Sequence, residues 1–315
     1  MDPLATEAEA VLDRLYPAAT KSPLAIPDDA HAIAAAWRSG GNSIIPLQGP
    51  AAAGVEVSDS VFDHLGHAVR LKTYRPATGH LPAILYLHGG GFVAGSLESY
   101  DLPLRTFARE TGWVIVSVDY RLAPEHPYPV GAEDCYAALR YLAAEAASLE
   151  IDPARIVVAG DSAGGLLAAT TALRARDRNG PSLAGMICLY PNTDLSLDAS
   201  YPSRTDHDGK IVNLSEFTRL MMLYLEGTDR RQPYVSPVMA ADLGRLPPGL
   251  VITCGSDPLR DEGLAFGRRL GEAGSPSETV HLEGALHGVL SMLPLMPGAG
   301  ARMFLAIRTF LDRIA

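Results

Sequence analysis

Residues 155–176 read RIVVAGDSAGGLLAATTALRAR. The apolar run Ile156–Ala159 has the length of a buried strand, and Gly164–Arg176 has helical spacing. Between them stands Gly160-Asp161-Ser162-Ala163-Gly164, a G-x-S-x-G pattern in the strand–turn–helix setting it requires. Glycines on both sides of the serine make room for a sharp turn in which flanking Cβ atoms would meet neighbouring backbone. The turn holds Ser162 in a strained conformation, its oxygen pointing away from the sheet and its helix N-terminus favouring developing negative charge. The competing reading is a glycine-rich helix start capped by Ser162. Placement directly after an apolar strand favours a nucleophile.

Working outward, the same alternation recurs on both sides. Apolar runs at Ala83–Leu87, Val114–Val118, Met186–Leu189, Leu250–Cys254 and Thr279–Leu282 alternate with helical patterns at Glu98–Thr111, Ala132–Ala147, Leu259–Glu272 and Gly300–Arg313. Near-continuous apolar strands separated by helices predict an α/β fold with a mostly parallel sheet covered on both faces. His67–Tyr74 alternates and reads as a half-buried strand. Residues 2–16 and 29–38 read as helices, and 39–54 as a connector rich in Gly, Pro and Ala. The stretch between the runs at Met186 and Leu250 is far longer than one crossover needs. It holds a loop rich in Asp, Ser and Tyr over Asn192–Gly209, then a helix over Leu214–Glu226, and reads as an insert over the top of the sheet.

Composition removes several function classes. The chain of 315 residues has a formal net charge of −10 and no basic block. That sign disfavours nucleic-acid partners and docking on anionic lipid. The first residues carry Asp2, Glu7, Glu9 and Asp13 with no basic segment before an apolar run, so no signal peptide is expected. No stretch approaches a membrane span of roughly 20 apolar residues. Cys135, Cys188 and Cys254 are too few and too widely spaced for a disulfide framework, which suggests reduced thiols and a cytoplasmic location. No CxxC or HxxxH pattern argues for a metal.

Further motifs complete a chemistry around Ser162. His88-Gly89-Gly90-Gly91 follows the run Ala83–Leu87 directly, and its backbone N–H groups could stabilise an oxyanion together with that of Ala163. A phosphate loop would need GxxxxGK[ST], which is absent. His88 reads as a brace for the loop. Of the histidines after Ser162, His207 sits in the insert and His281 inside a strand. His287, in Leu286-His287-Gly288, lies beyond a strand's carboxyl end, where open α/β sheets bind ligands. Asp257, in Gly255-Ser256-Asp257-Pro258, holds the matching place after the run Leu250–Cys254. It could orient His287, cap the following helix, or do both. Asp261 and Glu262 fall in that helix's first turn, where acids suit the dipole.

HGGGF, GDSAGG, GSDPLRDEG and LEGALHG, with DYRLAPEH from Asp119, together make the chain resemble the bacterial hormone-sensitive-lipase-like esterases of the α/β-hydrolase superfamily. The resemblance runs from about His67 to the C-terminus. It implies an α/β-hydrolase fold, a triad of Ser162, Asp257 and His287, and an oxyanion hole from Gly89, Gly90 and Gly91. It also implies a helical cap in two pieces, giving segments 1–45 (cap), 46–190 (core), 191–228 (cap) and 229–315 (core). Phe217, Met221 and Tyr224, at helical spacing in the insert, are candidates to line a pocket for short-to-medium acyl esters. The expected partner is a small-molecule ester, with no cofactor; assembly is left open between monomer and homodimer. Two other readings share the fold. A small-molecule receptor would have lost the histidine, which this chain keeps. An amidase or acyltransferase would keep the whole triad.

Overall fold

The computed structural model describes residues 3–15 and 29–314. One eight-stranded sheet runs through it in the order β1-β2-β4-β3-β5-β6-β7-β8. The strands are β1 Glu56–His64, β2 His67–Arg75, β3 Leu81–Leu87, β4 Val114–Val118, β5 Ile151–Asp161, β6 Gly185–Leu189, β7 Gly249–Ser256 and β8 Ser277–Leu286. β1 and β2 form an antiparallel hairpin and β2 pairs antiparallel with β4; every later pairing is parallel. The helices are α1 Pro3–Leu15, α2 Ala30–Ser43, α3 Asp101–Thr111, α4 Val130–Ala144, α5 Ala163–Asp177, α6 Pro202–Asp206, α7 Leu214–Leu225, α8 Arg260–Glu272 and α9 Pro297–Ile314.

The strand residues sort by parity, as a pleated sheet demands. Leu85 and Leu87 of β3 face a core shared with α4, α5, α7 and α8. Ile84 and Tyr86 face a second core shared with α1, α3 and α9. Both faces of the central strands are therefore dry, which explains their near-continuous apolar sequence. Truncating one such leucine to alanine should cost about 2–5 kcal/mol. Every residue of α5 from Ala163 to Ala175 is buried, so this stretch has no exposed face and sits against the middle of the sheet. All three cysteines are buried and free, as their spacing suggested.

Two differences from the sequence reading have simple causes. β1, Glu-Val-Ser-Asp-Ser-Val-Phe-Asp-His, lacks an apolar run because it is an edge strand with little more than Phe62 turned inward. α2 continues through Gly40 and Gly41 to Ser43, five residues beyond its expected end, and a 3-10 turn follows at Ile45–Leu47. The connector is thus shorter than composition suggested.

The N-terminal helices dock at different places. Glu7 of α1 accepts hydrogen bonds from the Gly298 and Ala299 N–H groups at the start of α9. Arg38 of α2 donates to the carbonyls of Val93 and Ala123 and pairs with Glu125. α2 therefore packs on the loops that follow β3 and β4. Among the described residues, no helix is long and apolar enough to cross a membrane.

Candidate active site

Ser162 lies between β5 and α5 with φ 56° and ψ −121°. An L-residue in that region costs about 1–3 kcal/mol and persists only where its surroundings over-determine it. Here they do. Its N–H donates to Leu189 O at 2.9 Å, and its carbonyl accepts from Gly165 and Asn192. A Cβ on Gly160 would lie 2.2 Å from Gly164 O, and one on Gly164 would lie 1.9 Å from Leu87 O. Only glycine fits at either position. Ser162 makes no side-chain cap to α5, which removes the competing reading of the serine as a helix cap.

Its oxygen instead faces His287 Nε2 at 2.9 Å. β8 runs up to Leu286, so His287 is the first residue past the strand, and Gly288 at φ 85° turns the chain into a 3-10 helix. A register shift where Gly255 of β7 passes β8 brings Ser256 opposite Leu286. Asp257 and His287 thereby emerge side by side. Asp257 Oδ2 lies 2.8 Å from His287 Nδ1, and Asp257 Oδ1 accepts from Leu259 N at 2.9 Å. One carboxylate both orients the imidazole and closes the turn leading into α8. Tyr190 meets the His287 ring edge-on, centroids 5.0 Å apart. Burial alone would lower the His287 pKa, but the charge and hydrogen bond of Asp257, with smaller contributions from Asp161 and Glu262, leave it raised above its ordinary value. The arrangement fixes Nδ1 as the protonated nitrogen and leaves Nε2 to accept from the serine hydroxyl.

The glycine loop after β3 stands beside this chain. Gly90 at φ 120° and Gly91 at φ 64° adopt conformations that side chains resist. Among the described residues, no acceptor meets the N–H groups of Gly90, Gly91 or Ala163. Gly89 differs from expectation. Its N–H donates to Asp161 Oδ1 and to the Tyr100 hydroxyl, both at 3.0 Å, and is not free for a ligand. His88 is buried and stacked on Tyr120, and its Nδ1 lies 2.8 Å from Gly89 O. Burial lowers its pKa, so it braces the loop as a neutral ring.

The candidate pocket residues lie elsewhere than expected. Met221 has no accessible surface, and Phe217 and Tyr224 retain almost none. All three belong to the core on the α5 face of the sheet. Tyr224 reaches the site only indirectly, by stacking on Phe92 with centroids 3.9 Å apart. Leu220, one turn earlier, presses on Gly91, where a Cβ would come within 2.7 Å of it. The helix is a wedge against the glycine loop, and its inward face is filled by packing.

Sequence reasoning passed over Asp161 and saw only part of the role of Glu262. Glu262 stands in the first turn of α8, as expected, but its surroundings were not foreseen. It is fully buried, accepts from Asn192 Nδ2 and Thr193 N, and pairs with Arg204 Nη2 of α6 at 2.6 Å. Nothing in a first-turn acid announces this; a long insert carrying an arginine is the only hint. His207 and His281 stay outside the site, meeting Arg260 and Thr253 respectively.

A family profile described as the alpha/beta hydrolase fold matches residues 84–291. The chain belongs to the α/β-hydrolase family. Within it, Esterase LipI of Mycobacterium tuberculosis is 38% identical over 252 residues, 78% of each chain. Carboxylesterase NlhH of the same organism is 40% identical over 238 residues, covering 73% of this chain and 74% of the relative. An ester hydrolase from the metagenome of Lake Arreo, solved with a bipyridine phosphonate derivative, matches with TM-score 0.90 at 32% identity over 98% of both chains. A hyperthermophilic esterase from Pyrobaculum calidifontis matches with TM-score 0.82 at 34% identity, covering 91% of this chain and 95% of that one. These relatives put the chain in the hormone-sensitive-lipase-like branch of the α/β-hydrolases.

Proposed function

We propose that the chain hydrolyses carboxylic esters through an acyl-enzyme on Ser162. The observation carrying this reading is the unbroken hydrogen-bonded line Ser162–His287–Asp257 beside three N–H groups that meet no acceptor among the described residues. Ser162 Oγ attacks the ester carbonyl while His287 Nε2 takes its proton. The N–H groups of Gly90, Gly91 and Ala163 hold the oxyanion, and Asp257 stabilises the imidazolium. His287 then protonates the leaving alcohol, and water repeats the sequence to release the acid. The residues around 191–228 and the N-terminal helices act as the cap. A cap of modest length suggests short-to-medium acyl esters as the substrates.

A fluorophosphonate or sulfonyl fluoride should add one adduct, located at Ser162 by peptide mapping. Active enzyme that takes no label, or takes it at another serine, overturns the reading. Turnover of an ester against its matching amide separates the esterase from an amidase carrying the same triad.

A further inference from the structure

Asp161 precedes Ser162, yet its carboxylate turns away from the site and into the protein, where the residue is only 3% exposed. Three donors converge on it. Tyr86 OH donates to Oδ1 at 2.7 Å, Tyr100 OH donates to Oδ2 at 2.8 Å, and Gly89 N donates to Oδ1 at 3.0 Å. Gly89 N also donates to the Tyr100 hydroxyl, so Gly89, Tyr100 and Asp161 close a ring of hydrogen bonds. The pocket is tight: a Cβ on Gly89 would lie 2.8 Å from Asp161 Oδ2. Burial raises the Asp161 pKa, and the three donors oppose that rise.

The consequence follows from peptide planarity, which makes each C=O and the next N–H point opposite ways. Asp161 holds the N–H of the 88–89 peptide, while Tyr120 OH donates to its carbonyl from the other side at 2.7 Å. His88 Nδ1 holds the carbonyl of Gly89, which turns the Gly90 N–H away from it. The carbonyl of Gly90 accepts from Val93 and Ala94, which turns the Gly91 N–H away in the same manner. Three successive planes are pinned, and the first pin belongs to the residue next to the nucleophile.

We propose that Asp161 is a positioning residue for the oxyanion hole: through Gly89 it locks the glycine loop in register with Ser162. The inference rests on the acyl-transfer reading above. It makes the turn carrying Ser162 and the glycine loop one rigid unit, so that the donors and the attacking oxygen keep their separation through the reaction. Because a transition-state oxyanion is the beneficiary, the effect belongs in kcat and not in KM.

The test is steady-state hydrolysis of 4-nitrophenyl butyrate by wild type and by Asp161→Ala, Asp161→Asn, Tyr100→Phe and Ser162→Ala. Asp161→Ala should lose about 10²-fold in kcat, the scale of one oxyanion donor, with KM nearly unchanged. Asp161→Asn keeps an oxygen for Gly89 and Tyr86, and its amide can donate to Tyr100, so it should recover most of that loss. Tyr100→Phe should lower kcat several-fold at constant KM, and it keeps the question open to measurement if the alanine variant does not fold. Wild-type kcat in Asp161→Ala or Tyr100→Phe overturns the inference, as does an asparagine variant no better than alanine. Ser162→Ala separates the two levels. If it stays active, the acyl-enzyme reading itself fails; if it is dead while the Asp161 variants keep full kcat, only the positioning role fails.

Discussion

The turn that carries Ser162 and the insert that carries Arg204 and Tyr224 press on the same site, yet they are held by opposite means. At the turn the contacts are backbone against backbone, with Gly160 and Gly164 packed so closely on carbonyl oxygens that no Cβ fits. In the insert the contacts are side chains: the buried Arg204–Glu262 pair, Ser203 against Asp261, and Tyr224 stacked on Phe92. Backbone contact admits one residue type. Side-chain contact admits many combinations that fill the same space. The turn is therefore written in sequence as a motif, whereas the insert is written only as a hydrophobic period.

Asp257 and Asp261 test that division, because four residues separate an acid of the strand-end machinery from an acid tied to the insert. Asp257 meets His287, while Asp261 accepts from Ser203 N at 2.8 Å and from Arg260 Nε at 2.7 Å. Asp257→Asn keeps an acceptor for Leu259 but presents the wrong partner to His287. Turnover should fall by two orders of magnitude or more; the corresponding change in a serine protease costs about 10⁴. Asp261→Asn should leave turnover largely intact and lower stability by about 1 kcal/mol. Turnover and melting temperature for both variants decide the matter. Equal activity losses would mean that the insert and the strand-end loops form one network.

A smaller effect is expected in the pH profile. His287 receives charge from both regions, Asp257 and Asp161 on the strand-end side and Glu262 at the insert, and its pKa is raised. A general base works only when unprotonated, so kcat/KM should rise with pH about a midpoint above the ordinary imidazole value of about 6.5. Below that midpoint His287 is protonated and cannot accept the Ser162 proton. Glu262→Gln removes the weakest of these influences and should move the midpoint slightly downward. A rate that falls with rising pH on folded protein would contradict the role of His287.

These contrasts also explain what could be read without coordinates. The parallel sheet was legible because its central strands are dry on both faces, so Ala83–Leu87 is an apolar run and Leu250–Cys254 is broken only by the buried Thr253. The strand-end sites of Ser162, Asp257 and His287 were legible because topology limits where such groups can stand. β1 was not, since an edge strand with one wet face resembles a loop. Glu262 was not, since its partner Arg204 is 58 residues away and its burial depends on how the insert folds back. Phe217, Met221 and Tyr224 were found as a face, but a helical period cannot say whether that face meets ligand or core.

Tyr224 offers the smallest and most specific check on the insert. Its ring is fully engaged, stacked on Phe92 at an interplanar angle of 8° and meeting Tyr128 edge-on. Its hydroxyl, however, is buried and finds no hydrogen-bond partner among the described residues. Burial of an unsatisfied hydroxyl is unfavourable by about 1–3 kcal/mol, so removing only that oxygen relieves the penalty while keeping the stack. Tyr224→Phe should therefore be neutral to stabilising, by up to about 1 kcal/mol, or a rise of about 2 °C in melting temperature. Its kcat should match wild type, because the glycine loop feels the ring and not the oxygen. Tyr224→Ala should instead lose about 3–5 kcal/mol and let Phe92 relax beside the N–H groups of the glycine loop. If the phenylalanine variant lowers kcat with its stability intact, the hydroxyl faces substrate after all, and the insert lines the pocket as its helical period first suggested.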